Sequence, residues 1–361
     1  MKRLLSLDVM RGITIAGMIM VNNAGSWRYV YAPLRHVSWD GLTPTDLVFP
    51  FFMFIMGVSM FISLKKYDFK LTKESLIKVL KRTLVIFLVG LGLNLFNHLC
   101  YNGFANFEKL RILGVMQRLA IAYGIGSLIG LTVNHKYLLW AAGGILVAYA
   151  ALLGFTGSTV LSPDNIIAMV DRAILGPSHM YTQAMADGTR IAFDPEGLLS
   201  AFGSVGQVLL GFYVGKLVLE YKNDREKLLQ KVFIFGTILL FSGFLLQYGC
   251  PINKKLWSST FVLVSSGFGS LFLGLLIWII DMKGKTRWSL FFESFGINPL
   301  YLYVQAWLLS TLSGLVGFTA FMNQSVFVPL FGNYGGSLAW AIFFVVINWI
   351  PGYFLYKKQI Y

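Results

Sequence analysis

The sequence predicts an all-α integral membrane protein of about ten transmembrane helices with both termini in the cytoplasm. Three observations predict it. Of the 361 residues, 56% are hydrophobic and only 13% charged, about half the charged share of a soluble domain. Apolar runs near the ~20 residues that cross a bilayer recur along the whole chain. They fall at about 9–28, 46–64, 80–98, 112–132, 137–155, 197–219, 230–249, 260–281, 289–317 and 337–356. The 30 lysines and arginines are spread unevenly between them: with the N-terminus inside, 20 lie in inner segments, 8 in outer segments, and Arg11 and Arg118 within spans. That asymmetry places both termini in the cytoplasm. Barrel strands are excluded, because they would alternate in polarity and be about half as long.

The same distribution explains the formal charge of +14. The basic side chains mark topology, so the expected partner is a lipid bilayer and not nucleic acid. No Gly/Ser linker or low-complexity tract divides the chain, which reads as a single polytopic domain over 1–361. Outside segments 29–45 and 156–196 are expected to cap the bundle. No internal repeat is visible, which weighs against a transporter built from inverted halves.

In the first run, Lys2 and Arg3 look like the start of a leader, but Asp8 and Arg11 interrupt the apolar stretch, so the span is expected to be retained. Arg11 has two readings, an i,i+3 pair with Asp8 or a contact to an anionic ligand at the inner face. Asn22 and Asn23 close the outer end. The link that follows holds His36, one of four histidines. Thr43-Pro44-Thr45-Asp46 then reads as the start of the second span, with Thr43 at the N-cap, Pro44 at the first helical position and Asp46 as an acidic capping box. Asp194-Pro195-Glu196 looks like the same device before the sixth span. Inner links 65–79 and 220–230 read as charged surface helices. The pairs Gly126/Gly130 and Gly211/Gly215 are helix-packing devices. In the ninth run Asn298 precedes Pro299, so a kink is expected there. Cys100 and Cys250 both fall at outer span ends, as isolated thiols or as a bridge. Asn323-Gln324-Ser325 matches a glycosylation tripeptide, a common chance match. Aromatic-rich faces such as that around Phe343 suit lipid or a second copy, which leaves a homodimer open.

Depth is the informative variable. Asn22, Asn23, Asn94, Asn97, Gln117, Arg118, Gln207, Gln247 and Gln305 all fall in the outer half, with His98 at the rim. Arg118 lies about six residues into its span, ~9 Å below the outer boundary. Polar groups gathered at one depth imply an outward-opening chamber; the alternative is that the amides bridge neighbouring helices. A buried guanidinium needs an anionic partner or solvent. None of the 16 acidic residues lies mid-membrane, which weighs against a proton-coupled carrier. No His/Cys cluster has metal-ligand spacing, so no metal is expected. His36 is either a lone surface histidine or, with an imidazole's ordinary titration near pH 6.5, a general base over the chamber.

LLSLDVMRGITIAGMIMVNN followed by HVSWDGLTPTDLVFPFFMFIMGVS closely resembles the heparan-α-glucosaminide N-acetyltransferase family and its bacterial relatives, part of a wider group of transmembrane acyltransferases. RILGVMQRLAIAY, FDPEGLLSAFGSVGQVLLGFYVGK and FGINPLYLYV look like further family segments, so the likeness covers nearly the whole chain. Lysosomal members carry extra sequence before the first block, which leaves acceptor choice open here. The resemblance implies transfer of an acetyl group from cytosolic acetyl-CoA to an amino sugar or glycan on the outer side, in a bacterial inner membrane. The family's active-site histidine falls on His36, its asparagine on Asn22 and its aspartate on Asp46. His36 would then serve as general base or acetyl relay, Asp46 would hold its other ring nitrogen, and Asn22 would donate to the thioester oxygen. Gln117, Arg118 and Asn23 are candidates for binding sugar hydroxyls or the CoA arm, Arg11 for CoA phosphates, and Asn298 for lining the CoA path. A permease or flippase for a sugar or lipid-linked precursor is the competing reading. A purely structural subunit gives no reason for a buried Arg118 or for the histidine link.

Overall fold

Backbone amides shielded from water must bond within their own segment, so the apolar runs fold as helices. The computed structural model describes residues 4–185 and 187–360; Lys2 and Arg3, counted above among the inner charges, lie outside the described residues. In chain order the helices are α1 Leu5–Val21, α2 Pro44–Leu64, α3 Lys73–Asn102, α4 Val115–Thr132, α5 Leu138–Phe155, α6 Ile166–Leu175, α7 Ala201–Glu220, α8 Arg225–Leu246, α9 Ser259–Leu276, α10 Leu290–Ile297, α11 Pro299–Leu315, α12 Phe318–Phe321 and α13 Val328–Lys357. Strands β1 Thr182–Ala184 and β2 Arg190–Ala192 pair antiparallel in a hairpin. Seven helical stretches among the described residues are long and apolar enough to cross a membrane: Pro44–Tyr67, Val115–Thr132, Leu138–Phe155, Ala201–Glu220, Arg225–Leu246, Ser259–Met282 and Phe318–Lys357. The remaining apolar runs lie on α1, α3 and the pair α10–α11.

Several expectations are corrected. The charged inner links are not separate helices: Lys73 to Arg82 and Arg225 to Lys231 are the first turns of α3 and α8. The ninth run is not one kinked helix, because Asn298 leaves helical geometry (φ −118°, ψ 57°) and Pro299 opens a new helix, where its missing N–H is harmless. Asp194 does not cap α7, which starts at Ala201 behind Ser200. Asn323 is buried in a π-helical turn over Met322–Phe327, so it is no exposed glycosylation acceptor. Cys100 and Cys250, by contrast, are isolated thiols as the first of their two readings had it.

Helix α7 runs through the centre. A Cβ at Gly211 or Gly215 would strike the backbone carbonyl of Phe54 or Val58 on α2, while Gly126 and Gly130 of α4 lie on Val208 and Phe212. Lipid tails are as apolar as leucine, so such close backbone approach, and not escape from water, holds these helices together. The main core fills the space between α2, α4, α5, α7 and α9 with Met53, Phe61, Tyr123, Leu146, Phe212 and Phe261. A second core joins α1, α10, α11 and α13 through Ile15, Ile19, Phe295, Leu302, Trp340 and Phe344.

The segment after α5 folds back over one end of this bundle. Phe193 packs beside Trp39 with ring centroids 5.5 Å apart, and Trp39 Nε1 donates to Thr159 O at 2.9 Å. His179 Nδ1 donates to Leu110 O at 2.8 Å. These contacts tie the α1–α2 link, the α3–α4 link and the hairpin segment into one layer, where His36 sits.

Candidate functional site

The local sequence explains how Asp46 comes to face His36. Pro44 opens α2 and places Asp46 in its first turn. There Oδ2 accepts the Thr43 N–H at 3.1 Å, the Thr43 hydroxyl at 2.9 Å and the Val37 N–H at 3.3 Å. The other oxygen, Oδ1, lies 2.6 Å from His36 Nδ1. Asp46 is fully buried, while the His36 side chain is 45% exposed. Capping and holding the imidazole, two separate explanations at the sequence level, are thus done by different oxygens of one carboxylate. A nitrogen lone pair and a carboxylate oxygen would repel at 2.6 Å, so Nδ1 carries the proton and donates it to Asp46. That leaves a lone pair on Nε2, which makes no hydrogen bond among the described residues.

A third member was not foreseen. Lys254 Nζ lies 3.3 Å from Asp46 Oδ1 and 3.0 Å from His36 Nδ1. Lys254 is pulled below the ordinary lysine range, chiefly by burial, with the Asp46 carboxylate working the other way. A signal existed in the sequence: Lys254-Lys255 is a pair of lysines on the side that the positive-inside bias depletes.

Beside this cluster, Arg111 forks onto Asp194, with Nε 2.9 Å from Oδ2 and Nη2 2.6 Å from Oδ1, and Nη2 also reaches Glu196 Oε2 at 2.7 Å. Burial works against the Arg111 charge, but Glu196 and Asp194 outweigh it and hold the guanidinium above its ordinary range. Asp194 is therefore an ion-pair partner of Arg111, not a helix cap.

Two cavities lie between α1, α2, α3 and α11. The larger, about 660 Å³, is bordered at one end by Ser63, Lys78, Lys81 and Arg82 and reaches Arg11, Phe49 and Met18. The smaller, about 240 Å³, is bordered by Asn22, Asn23, Asn97, Tyr101, Ser310 and Thr311 at the opposite helix ends. Met18 and Tyr303 line both.

The expected site residues separate accordingly. Asn22 and Asn23 border the smaller cavity, and Asn23 Nδ2 donates to Ile19 O at 2.7 Å. Arg11 borders the larger one and makes the expected pair with Asp8, Nη1 lying 3.0 Å from Oδ1, while Nη2 donates to Ser59 Oγ at 2.8 Å. His36 borders neither of the two cavities. Gln117 and Arg118 are buried away from both: Gln117 Nε2 donates to Ile112 O at 2.9 Å. Arg118 Nη2 donates to Pro195 O at 2.6 Å and to Ser200 Oγ, with the guanidinium 4.7 Å from the Trp257 ring. Arg118 thus takes carbonyl, hydroxyl and aromatic partners in place of the expected anion or solvent. Asn298 bonds Ile360 O at 2.7 Å, between the cavity-lining Ile297 and Pro299. Asn94, Gln207 and Gln305 bridge segments: Asn94 donates to Arg111 O, Gln207 to Pro50 O and Gln305 to Asn348 Oδ1. The expected polar layer is therefore part cavity and part helix bridge. Among the described residues, no group of three His, Cys, Asp or Glu side chains is arranged to hold a metal ion.

A sequence model of a family described as heparan-alpha-glucosaminide N-acetyltransferase, catalytic, matches residues 3–248. The human heparan-alpha-glucosaminide N-acetyltransferase is 30% identical over 354 residues, a match that covers 84% of this chain and 52% of the human protein. The mouse protein of the same name is 29% identical over 352 residues, covering 84% and 53%. The chain spans about half the length of the curated relatives it matches.

Proposed function

The chain belongs to the heparan-alpha-glucosaminide N-acetyltransferase family, and from that premise we propose that it moves an acetyl group from cytosolic acetyl-CoA to an amino sugar or glycan beyond the membrane. The proposed topology has ten spans, α10 and α11 together forming one, with both termini in the cytoplasm of a bacterial inner membrane. The observation that carries the reading is a pair of neighbouring cavities that share Met18 and Tyr303 as wall residues. Their far ends differ in chemistry, one basic and the other lined by amides and hydroxyls, which suits an anionic donor and a hydroxyl-rich acceptor.

The residues present fit the donor. A cavity of about 660 Å³ is within the usual ~300–1,000 Å³ of small-molecule sites. Lys78, Lys81, Arg82 and Arg11 would hold phosphates, while Phe49, Phe52, Met56 and Ile86 would pack along an aliphatic arm. Acetyl-CoA supplies an acyl group activated as a thioester. Within the protein, Asp46 keeps the His36 imidazole in one tautomer and His36 Nε2 takes the proton from the acceptor's amine, since an ammonium is not nucleophilic. The C–N bond then forms as the C–S bond breaks, and the thiolate leaves. Asn22 is the candidate amide donor to the oxygen on which negative charge gathers. His36 would serve equally as an acetyl relay.

The test traps [14C]acetyl-CoA inside vesicles bearing the purified protein and supplies glucosamine outside. Label on the external sugar, lost in a folded His36→Ala variant, is the expected result; full turnover by that variant would remove His36 from the mechanism. A permease reading draws on the same two cavities, because they are lined from opposite helix ends and share two wall residues. It predicts that sugar crosses without acetyl-CoA and stays unacetylated.

A further inference from the structure

Lys254 lies beyond the 3–248 stretch matched by the family model, and the loop that carries it is built to hold it still. Asn253 and Ser258 close the loop on each other: the Ser258 N–H donates to Asn253 O at 3.0 Å and the Asn253 N–H to Ser258 Oγ at 3.0 Å. Asn253 Oδ1 accepts the Leu256 N–H at 2.9 Å, and its amide donates to Asp40 Oδ1 at 3.0 Å. Tyr149 pins Leu256 O at 2.6 Å. The loop ends in Trp257, 1% exposed and held at φ +52°. A bulky residue in the left-handed region persists only where its surroundings over-determine it, and such strain clusters at functional sites. Asp46 does not need a lysine to start α2, since Thr43 and Val37 already serve its other oxygen.

On the reading of His36 as proton acceptor, on which this inference rests, we propose that Lys254 is a positioning residue of the transfer site. Its ammonium holds Asp46 Oδ1 and opposes a positive charge on the His36 ring, which keeps the Nε2 lone pair available to the acceptor. Asp46 alone would do the reverse, since a carboxylate beside an imidazole favours the protonated ring, and an imidazolium has no lone pair to offer. An ammonium 3.0 Å from Nδ1 adds a like charge whose effect is several times thermal energy even at an effective dielectric of about 20. The other charged groups around the ring do not take this place. Lys255 Nζ is committed to Ser38 O at 2.6 Å, and Arg35 donates to Val30 O and Arg28 O. Glu196 and Arg118 act on Lys254 itself at longer range.

The test reads His36 directly and needs no turnover. Protein labelled with 13C at histidine C–H positions carries four histidines, and His36→Gln identifies the signal of interest. Titrations compare the unaltered chain with Lys254→Met, Lys254→Gln and Lys254→Arg, with thermal melting to show which variants are folded. Lys254→Gln keeps a donor for Asp46 without the charge, so it serves if Lys254→Met does not fold. The expected result is a His36 midpoint higher by about one pH unit or more in the uncharged variants, and little changed in Lys254→Arg. The acid limb of acetyl transfer moves with it, so turnover one unit below the original midpoint falls about tenfold. An unmoved midpoint in the uncharged variants, or one that moves as far in Lys254→Arg, overturns the proposal. If the midpoint moves yet His36→Gln retains turnover, the Lys254–His36 coupling stands and the reading of His36 as proton acceptor fails.

Discussion

Asp46 Oδ1 lies 2.6 Å from His36 Nδ1 while Asp46 Oδ2 receives the Thr43 N–H, so the carboxylate that starts α2 also orients the imidazole. Replacing it separates the two duties. In Asp46→Asn the amide offers Nδ1 either a donor or a weaker acceptor, and the tautomer is no longer enforced. Acetyl transfer is expected to fall by about 10²–10⁴-fold, against a capping loss of about 1 kcal/mol in stability. Steady-state kinetics and thermal melting on the same sample decide between them. Turnover near the original level with a lowered melting point would reduce Asp46 to a cap.

The Arg111–Asp194 fork makes a separate prediction about stability. Asp194 is fully buried and Arg111 31% exposed, so removing the guanidinium leaves a buried carboxylate with no cationic partner, held only by the N–H groups of Tyr181 and Glu196. Arg111→Met is expected to destabilise the protein by about 3–5 kcal/mol, read as a lowered melting point in detergent. The double variant Arg111→Met/Asp194→Leu should recover part of the loss, because both charges are then gone. A double variant no better than the single one would mean that packing around Arg111, and not its charge, is what matters.

Much of this was legible in the sequence where a local rule applies. Thr43-Pro44-Thr45-Asp46 announced α2 because capping acts over four residues, and Gly211/Gly215 announced a close helix contact. Partners distant along the chain left no such trace. Lys254 meets Asp46 across 208 positions, and Arg118 finds Pro195 O across 77. Position along a helix was readable from position in each run, but which helix face a polar group occupies was not. Asn94 and Asn97 show the consequence: three residues apart, one bridges to the α3–α4 link and the other borders a cavity.

Asp171 predicts how stability changes with pH. Burial pushes its carboxyl up to about 6, against the N–H groups of Leu199 and Leu198 that favour the ionised form. Its Oδ1 accepts the Leu198 N–H at 2.9 Å, and Oδ2 has no protein partner. Between about pH 4 and 6 the folded chain therefore holds a proton that the unfolded chain has released, so this group's contribution falls as pH rises through that window and is level above it. The difference spans about two pH units, on the order of 3 kcal/mol. Asp171→Asn removes it, so melting curves of the two proteins should converge toward pH 4 and separate by pH 7, with the variant the more stable. Parallel curves across the whole range would show that Asp171 does not titrate there.

The basic mouth of the larger cavity separates donor binding from chemistry. Lys78, Lys81 and Arg82 follow one another along the first turns of α3 and border a space that is also lined by Phe49 and Met18. Arg82 is also 4.8 Å from the Tyr123 ring, so its loss would disturb packing, whereas Lys81 is exposed and its removal tests charge alone. If phosphates dock there, Lys81→Met weakens ground-state and transition-state binding equally: KM for acetyl-CoA rises by about tenfold and kcat holds. The contribution of a solvent-exposed charge is screened by salt, so the two proteins should approach one another as ionic strength rises from about 10 mM to 1 M. An unchanged KM at low salt would move the phosphate site away from this mouth. A fall in kcat at constant KM would place Lys81 in the chemical step, which a residue at the far end of the cavity from Phe49 has no means to enter directly.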